Sequence, residues 1–146
     1  MSNSTLAARQ AELVAALVAG GPLPAGFDAP GVAAAERALR RKRAGEVAQV
    51  WPLLAAGHGD RWVEHFCRWS AGRAPNGALR DGWDLARELA EAGRLPALAG
   101  RELAEREVAM RYDGRRPPRP RRIPTVRRRG ATVVLGCRGW VHQLGG

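Results

Sequence analysis

The stretch WPLLAAGHGDRWVEHFCRWSAGRAPNGALRDGW, residues 51–83, holds four of the chain's five tryptophans. The rest is built mostly from Ala, Arg, Gly, Leu and Val, with only two Phe and one Tyr. Large rings dominate core and interface energetics because each buries a large apolar area, so this stretch decides how the chain is held together. Trp62, Phe66 and Trp69 fall at i, i+4 and i+7, one stripe of a 3.6-residue repeat, with Val63 beside it. A stripe at that spacing is core far more often than a binding platform. Trp51, Trp62, Phe66, Trp69 and Trp83 are therefore expected to form a core aromatic clamp that joins the second, third and fourth helices. Trp51, beside Pro52 and near a basic cluster, is the ring expected to be partly exposed.

Towards the amino terminus, Ser4 and Thr5 are good helix caps, and Leu6, Leu13, Val14, Leu17 and Val18 follow at helical spacing. Gly20-Gly21-Pro22 should stop that helix. Phe27 is a lone ring in the next loop, expected to plug back onto the body. Asp28 should cap a second helix, with Pro30 tolerated in its first turn. That helix carries Val32, Ala35 and Leu39 on one face and Arg37, Arg40, Arg41, Lys42 and Arg43 on the other. Gly45 is expected to end or bend it, and Pro52 to produce a kink or a fresh start. Gly57-His58-Gly59 reads as a hinge with a solvent-facing His58, and Asp60 as the cap of the helix bearing the stripe.

Beyond the stripe, Asp81 or a neighbour should start a fourth helix, with Trp83, Ala86, Leu89 and Ala90 buried and Gly93 closing it. A fifth helix, with Pro96 in its first turn, should run to about Tyr112. Its Glu102/Arg106 and Glu107/Arg111 pairs sit at i, i+4, each worth a few tenths of a kcal/mol, and mark an exposed, self-supporting helix. After Asp113-Gly114 come dense prolines that keep the chain extended. Ile123, Thr125 and Val126, then Thr132 to Leu135, then Trp140, Val141 and Leu144 read as short strands, with a hairpin turn at Arg129-Gly130. The fold class is thus mainly α: a five-helix compact bundle followed by a short basic β-hairpin or three-stranded unit. The expected domains are a helical domain over residues 1–112, an Arg/Pro linker over 113–122 and a small β unit over 123–146. A free two-stranded hairpin is marginal in water, so the β unit must lean on the helical body or a partner.

The length of 146 residues suits one domain with a real core, and 45% hydrophobic with 26% charged residues is ordinary for a soluble globular protein. No apolar run approaches the ~20 residues of a membrane-spanning helix, and Met-Ser-Asn-Ser-Thr is no secretory signal. Cys67 and Cys137 make no disulfide framework. The cytoplasm is the expected compartment. The net charge of +10 is uneven: residues 1–114 carry 15 basic and 14 acidic side chains, residues 115–146 carry 9 basic and no acidic ones. Such a tail either meets something anionic or is a solvated arm. The cluster at 40–43 is a second candidate anion site, although Glu36 and Glu46 favour a solvated face.

No catalytic constellation stands out. His58, His65 and His142 lack metal-ligand spacing, and His65 and Cys67 point apart on a helix. No phosphate-binding glycine loop is present, and Ser70 has no histidine–carboxylate arrangement around it. No metal, cofactor or catalytic residue is expected. The candidate partner-binding residues are Arg115, Arg116, Arg119, Arg121, Arg122, Arg127, Arg128, Arg129 and Trp140; Trp is enriched at interface hot spots.

Glu-Arg-Ala-Leu-Arg-Arg-Lys-Arg, Trp-Pro-Leu-Leu, Gly-Asp-Arg-Trp-Val-Glu-His-Phe, Gly-Trp-Asp-Leu-Ala and Gly-Arg-Leu-Pro-Ala-Leu together resemble a helical family labelled as a DNA-binding domain. Its members are accessory proteins encoded beside multinuclear non-haem iron-dependent oxidative (MNIO) enzymes, which modify ribosomally made peptides. The closest likeness is to an actinobacterial version that also occurs fused behind the enzyme's barrel. The likeness covers about residues 6–112, with Trp51 and Trp83 where Phe is usual. It implies a non-catalytic accessory protein in ribosomal peptide biosynthesis, with an MNIO-type iron enzyme and its precursor peptide as partners. The hairpin from Ile123 to Leu144 would then accept a peptide strand by sheet extension. The competing expectation is nucleic-acid binding through the eight Arg from Arg115 to Arg129, with affinity falling steeply with salt.

Overall fold

The computed structural model describes residues 2–19, 29–122, 125–129, 132–137 and 140–144. Its elements are α1 (Ser2–Ala19), α2 (Ala29–Val50), α3 (Pro52–His58), a 3-10 turn (Gly59–Arg61), α4 (Trp62–Trp69), α5 (Ala78–Glu91), α6 (Ala97–Ala109), β1 (Met110–Arg111), β2 (Arg119–Pro120), β3 (Thr125–Arg129), β4 (Thr132–Cys137) and β5 (Trp140–Leu144). The chain is mainly helical with small antiparallel sheets at the end, as the sequence predicts. Pro52 gives a fresh start, not a kink: it occupies the first turn of α3, where its missing N–H costs nothing. The loop expected around Phe27 and the cap at Asp28 lie outside the described residues.

Contacts divide the chain into two compact units, Met1–Glu46 with Asp60–Asn76, and Val47–Gly59 with Gly77–Gly146. The division does not follow the expected boundaries at 112 and 122. It falls inside α2, and it groups α5, α6 and all five strands together.

In the first unit, α1 begins at Ser2, so Ser4 and Thr5 lie within it and do not cap it. Helix α2 passes through Gly45 without ending. Its buried side is Val32, Ala44 and Val47, while Leu39 is exposed. The inward direction is rotated from the one expected, because Arg40 and Arg43 are half-buried with work to do there. Arg40 pairs with Glu36 at 3.5 Å. Arg43 donates to the carbonyls of Arg73 (2.9 Å) and Ala74 (3.3 Å) and lies over the Phe66 ring. Helix α4 follows Arg61, not an Asp60 cap. Its stripe is as predicted: Trp62 and Phe66 are buried, Trp69 is half-buried, and the rings stack in sequence 5.5 Å apart. The Trp62 indole donates to Ala44 O at 3.0 Å, which fixes the ring that the apolar stripe buries.

In the second unit, Trp51 and Trp83 are fully buried and meet edge to face at 5.8 Å, and Tyr112 lies 5.2 Å from Trp83. The five expected clamp rings are thus shared between two units, and Trp51 is not partly exposed. The reason is local. Trp51 is the cap position between α2 and α3, with φ −121 and ψ 66, and that turn carries its indole onto α5, where it donates to Leu79 O at 3.0 Å. Helix α5 starts at Ala78 after Gly77 (φ 87), so Asp81 is not its cap but a buried residue of its first turn. Gly93 (φ 66) ends it in a Schellman turn, with Gly93 N–H bonded to Ala90 O and Arg94 N–H to Leu89 O. Pro96 caps α6 rather than entering it, and α6 stops at Ala109, before Tyr112. Helix α6 is not exposed: Ala99, Leu103, Ala104, Val108 and even Glu102 are buried, against α3, α5 and the β3–β4 strands.

Two sheets follow α6. In the first, β1 pairs with β2 through Met110↔Pro120 and Arg111↔Arg119. The residues expected to be an extended linker are therefore doubled back, and Arg121 N–H closes the ladder on Ala109 O at 2.9 Å. In the second, the order is β3-β4-β5, all antiparallel, with Arg129↔Thr132 and Cys137↔Trp140 next to the two turns. The turn residues at 130–131 lie outside the described residues.

Two glycines in helices should respond with opposite sign to alanine. A methyl at Gly82 of α5 would overlap the Trp51 indole, and overpacking costs about 1–3 kcal/mol against a helix-propensity gain of about 1. Nothing lies within 4 Å of a methyl at Gly45 of α2, so only the gain of about 0.5–1 kcal/mol remains there. Urea unfolding should show Gly82→Ala destabilised and Gly45→Ala stabilised.

Candidate functional site

The break between α2 and α3 leaves orphan backbone groups, and α6 satisfies them. Glu102 Oε2 accepts from Leu54 N–H at 2.8 Å, acting as an N-terminal cap of α3 supplied from another helix. Arg106 donates to Val50 O, the end of α2, lies 4.2 Å from the Trp51 ring centroid, and pairs with Glu102 at 3.8 Å. Burial pushes the Glu102 carboxyl above its ordinary range, against the opposing pull of the Leu54 N–H and Arg106. Burial likewise lowers Arg106. Both groups work as structure, and the i, i+4 pair expected on an exposed face is enclosed. Glu107 pairs with Arg87 Nε at 3.0 Å, so its expected partnership with Arg111 is not the one formed. Arg87 also donates to Tyr112 O, and Tyr112 donates its hydroxyl to Asp84 at 3.1 Å.

This braced surface carries the basic turn between β1 and β2. Asp113 Oδ1 accepts from the backbone N–H of Arg116 (2.7 Å) and of Arg115 (2.9 Å), which holds the carboxyl below its usual range and shapes the turn. Gly114 supplies the left-handed step with φ 80. Arg80 of α5 donates to Arg115 O at 2.7 Å. Arg111, Asp113, Arg116, Pro117 and Arg119 line a cleft of about 210 Å³.

The candidate residues separate accordingly. Arg115, Arg116, Arg119 and Arg122 are exposed on this turn and just beyond it. Arg121 is half-buried, and its Nε donates to Glu107 O (2.8 Å) and Met110 O (3.1 Å). Arg127, Arg128 and Arg129 lie on β3 and Trp140 begins β5; their side chains lie outside the described residues. Arg111, for which the sequence predicts a helical pair with Glu107, lines the cleft instead, and no local pattern signals the bracing by Arg80. The Asp113-Gly114 dipeptide was the available signal for a tight turn.

The other candidates resolve as structure. Ser70 is buried and donates to Cys67 O at 3.4 Å. His58 does not face solvent freely but is half-buried, its Nδ1 2.9 Å from Leu54 O. Burial raises the Cys67 thiol. Among the described residues, no group of three His, Cys, Asp or Glu is placed to hold a metal ion, and no helix is long and apolar enough to cross a membrane.

The Glu102 cap can be tested directly. Glu102→Ala leaves Leu54 N–H and Arg106 buried without their partner and should cost about 3 kcal/mol; Glu102→Gln, which keeps an acceptor, should cost about 1 kcal/mol. The folded protein holds a proton on Glu102 more readily than the unfolded chain does. The Glu102 contribution to stability therefore falls as pH rises from the ordinary carboxylate range through the raised value. Urea unfolding at about pH 4 and about pH 7 should show that part of the slope removed in Glu102→Gln.

Comparison with known proteins places these features in a family. The model of the "SCO6045-like, C-terminal domain" matches residues 7–91, more than half of the chain. The chain is also 38% identical over 132 residues to a UPF0276 protein of Streptomyces avermitilis. That alignment takes in 90% of this chain and 26% of the relative, so the chain spans about a quarter of that protein's length. No solved structure matches. The matched residues include α2 to α5, with Trp51, the Trp62–Phe66–Trp69 stripe and Trp83, and on that ground the chain belongs to the SCO6045-like, C-terminal domain family.

Proposed function

We propose that this chain is a non-catalytic accessory protein that binds an MNIO-type iron enzyme, its ribosomal precursor peptide, or both, during peptide modification. The observation that carries this reading is the relative's length. A segment like this chain makes up about a quarter of a longer polypeptide in Streptomyces avermitilis, and parts that are joined in one protein tend to work side by side when separate. The resemblance of residues 6–112 to MNIO accessory proteins, which include a version fused behind the enzyme's barrel, supports taking an MNIO-type enzyme as the partner. The side chains are consistent with it: Glu102, Asp113, Arg106 and Arg121 bond main-chain groups, and the turn after α6 carries exposed Arg115, Arg116 and Arg119.

The second reading, nucleic-acid binding, is favoured by the exposed Arg115, Arg116, Arg119 and Arg122. The two separate cleanly. Mixed at micromolar concentration with an MNIO-type enzyme encoded in the same genome, the chain should co-elute with it in size exclusion, and duplex DNA should bind it weakly and with a steep loss in salt. Failure to co-elute, together with sequence-dependent DNA binding that survives physiological salt, would overturn the accessory reading in favour of the second.

A further inference from the structure

We propose that the cleft of the β1–β2 turn is a receptor for an acidic side chain, a Glu or Asp of an extended peptide, gripped by Arg111, Arg116 and Arg119. The choice of a peptide as ligand rests on the accessory reading above; the recognition of a carboxylate rests on the cleft itself.

Three arginines line the cleft around one carboxylate, Asp113; Arg116 acts on that carboxylate through space, and among the described residues none of the three forms a direct ion pair. Asp113 has its Oδ1 held by two backbone N–H groups, so the three guanidinium groups outnumber it. Guanidinium is weakly hydrated, stays charged and matches a carboxylate with two parallel hydrogen bonds, so three arginines around a cavity with a single carboxylate favour a planar oxyanion. Size narrows the choice. Sites for drug-sized ligands occupy roughly 300–1,000 Å³, and this cleft, at about 210 Å³, takes a side chain rather than a nucleotide.

The cleft is also built in advance. The β1–β2 ladder, the Asp113 turn, the Arg80 bond to Arg115 O and the two Arg121 bonds fix the backbone that carries the arginines. Fixed geometry lowers the ordering cost of binding. Pro117 adds an apolar wall for the methylene stem of an acidic residue, and the carboxylate of Asp113 opposes a continuous phosphate backbone.

The test uses the full chain and a fluorescein-labelled ten-residue peptide carrying Glu-Glu-Asp among Gly and Ser, with a Gln-Gln-Asn counterpart. Fluorescence anisotropy should show the acidic peptide binding and the neutral one not. Arg116→Gln with Arg119→Gln should weaken binding at least about tenfold. Arg61→Gln with Arg94→Gln, an equal change of charge at exposed positions elsewhere, should change it less than about twofold. Equal losses in the two double variants, no loss in the cleft variant, or displacement of the peptide by duplex DNA at lower concentration than by unlabelled peptide would overturn the proposal. Co-elution with the enzyme by the cleft variant would leave the accessory reading standing without it, which keeps the two failures distinct.

Discussion

The second unit depends on one buried indole. Trp51 stands where α2 stops and α3 starts, and four separate features hold it: the bond to Leu79 O, the edge-to-face contact with Trp83, the Arg106 guanidinium over its face, and the missing side chain of Gly82. Three of them come from the first two turns of α5 and one from α6. A break between two helices is ordinarily a weak point, because the last carbonyls of one and the first amides of the next lose their partners together. Here two α6 residues supply those partners, Glu102 to Leu54 and Arg106, which also covers the ring, to Val50. Ring burial and backbone capping are therefore coupled, and a substitution at either exposes the other.

Local periodicity was legible in the chain. The Trp62–Phe66–Trp69 stripe, the fresh start at Pro52, the glycine end of α5 and the three strands after residue 123 all follow from residues close in sequence. What was not legible was tertiary capping. Asp60 and Asp81 have the chemistry of caps, yet α4 follows Arg61, α5 follows Gly77, and α3 is capped by a glutamate 48 residues away. Charge was misread for the same reason. Arg43 and Arg106 count as surface basics in composition, but each donates to a main-chain carbonyl of a distant segment, and no sequence window contains that partner. The exposed Arg111 was assigned to a helix that in fact ends two residues earlier.

Removing the committed arginines from the tally leaves a smaller basic surface than net charge suggests, and a more ordered one. The turn from Met110 to Pro120 hangs on α5 and α6 through Arg80, Arg87, Tyr112 and Arg121. The aromatic core and the basic turn are thus two ends of one packed unit. That unit also contains β3 to β5, whose order leaves β3 and β5 at the edges of their sheet. An edge strand offers unpaired main-chain groups to an extended peptide, and a rigid basic turn in the same unit offers side-chain selectivity.

The proposal that this chain binds an MNIO-type enzyme, and does so through the turn and strands after α6, is tested most directly by hydrogen exchange on the chain alone and mixed with that enzyme. Slowed exchange on binding is expected at Met110–Pro120 and along β3 to β5. Slowing confined to α1, α2 and α4, with none after α6, would contradict it.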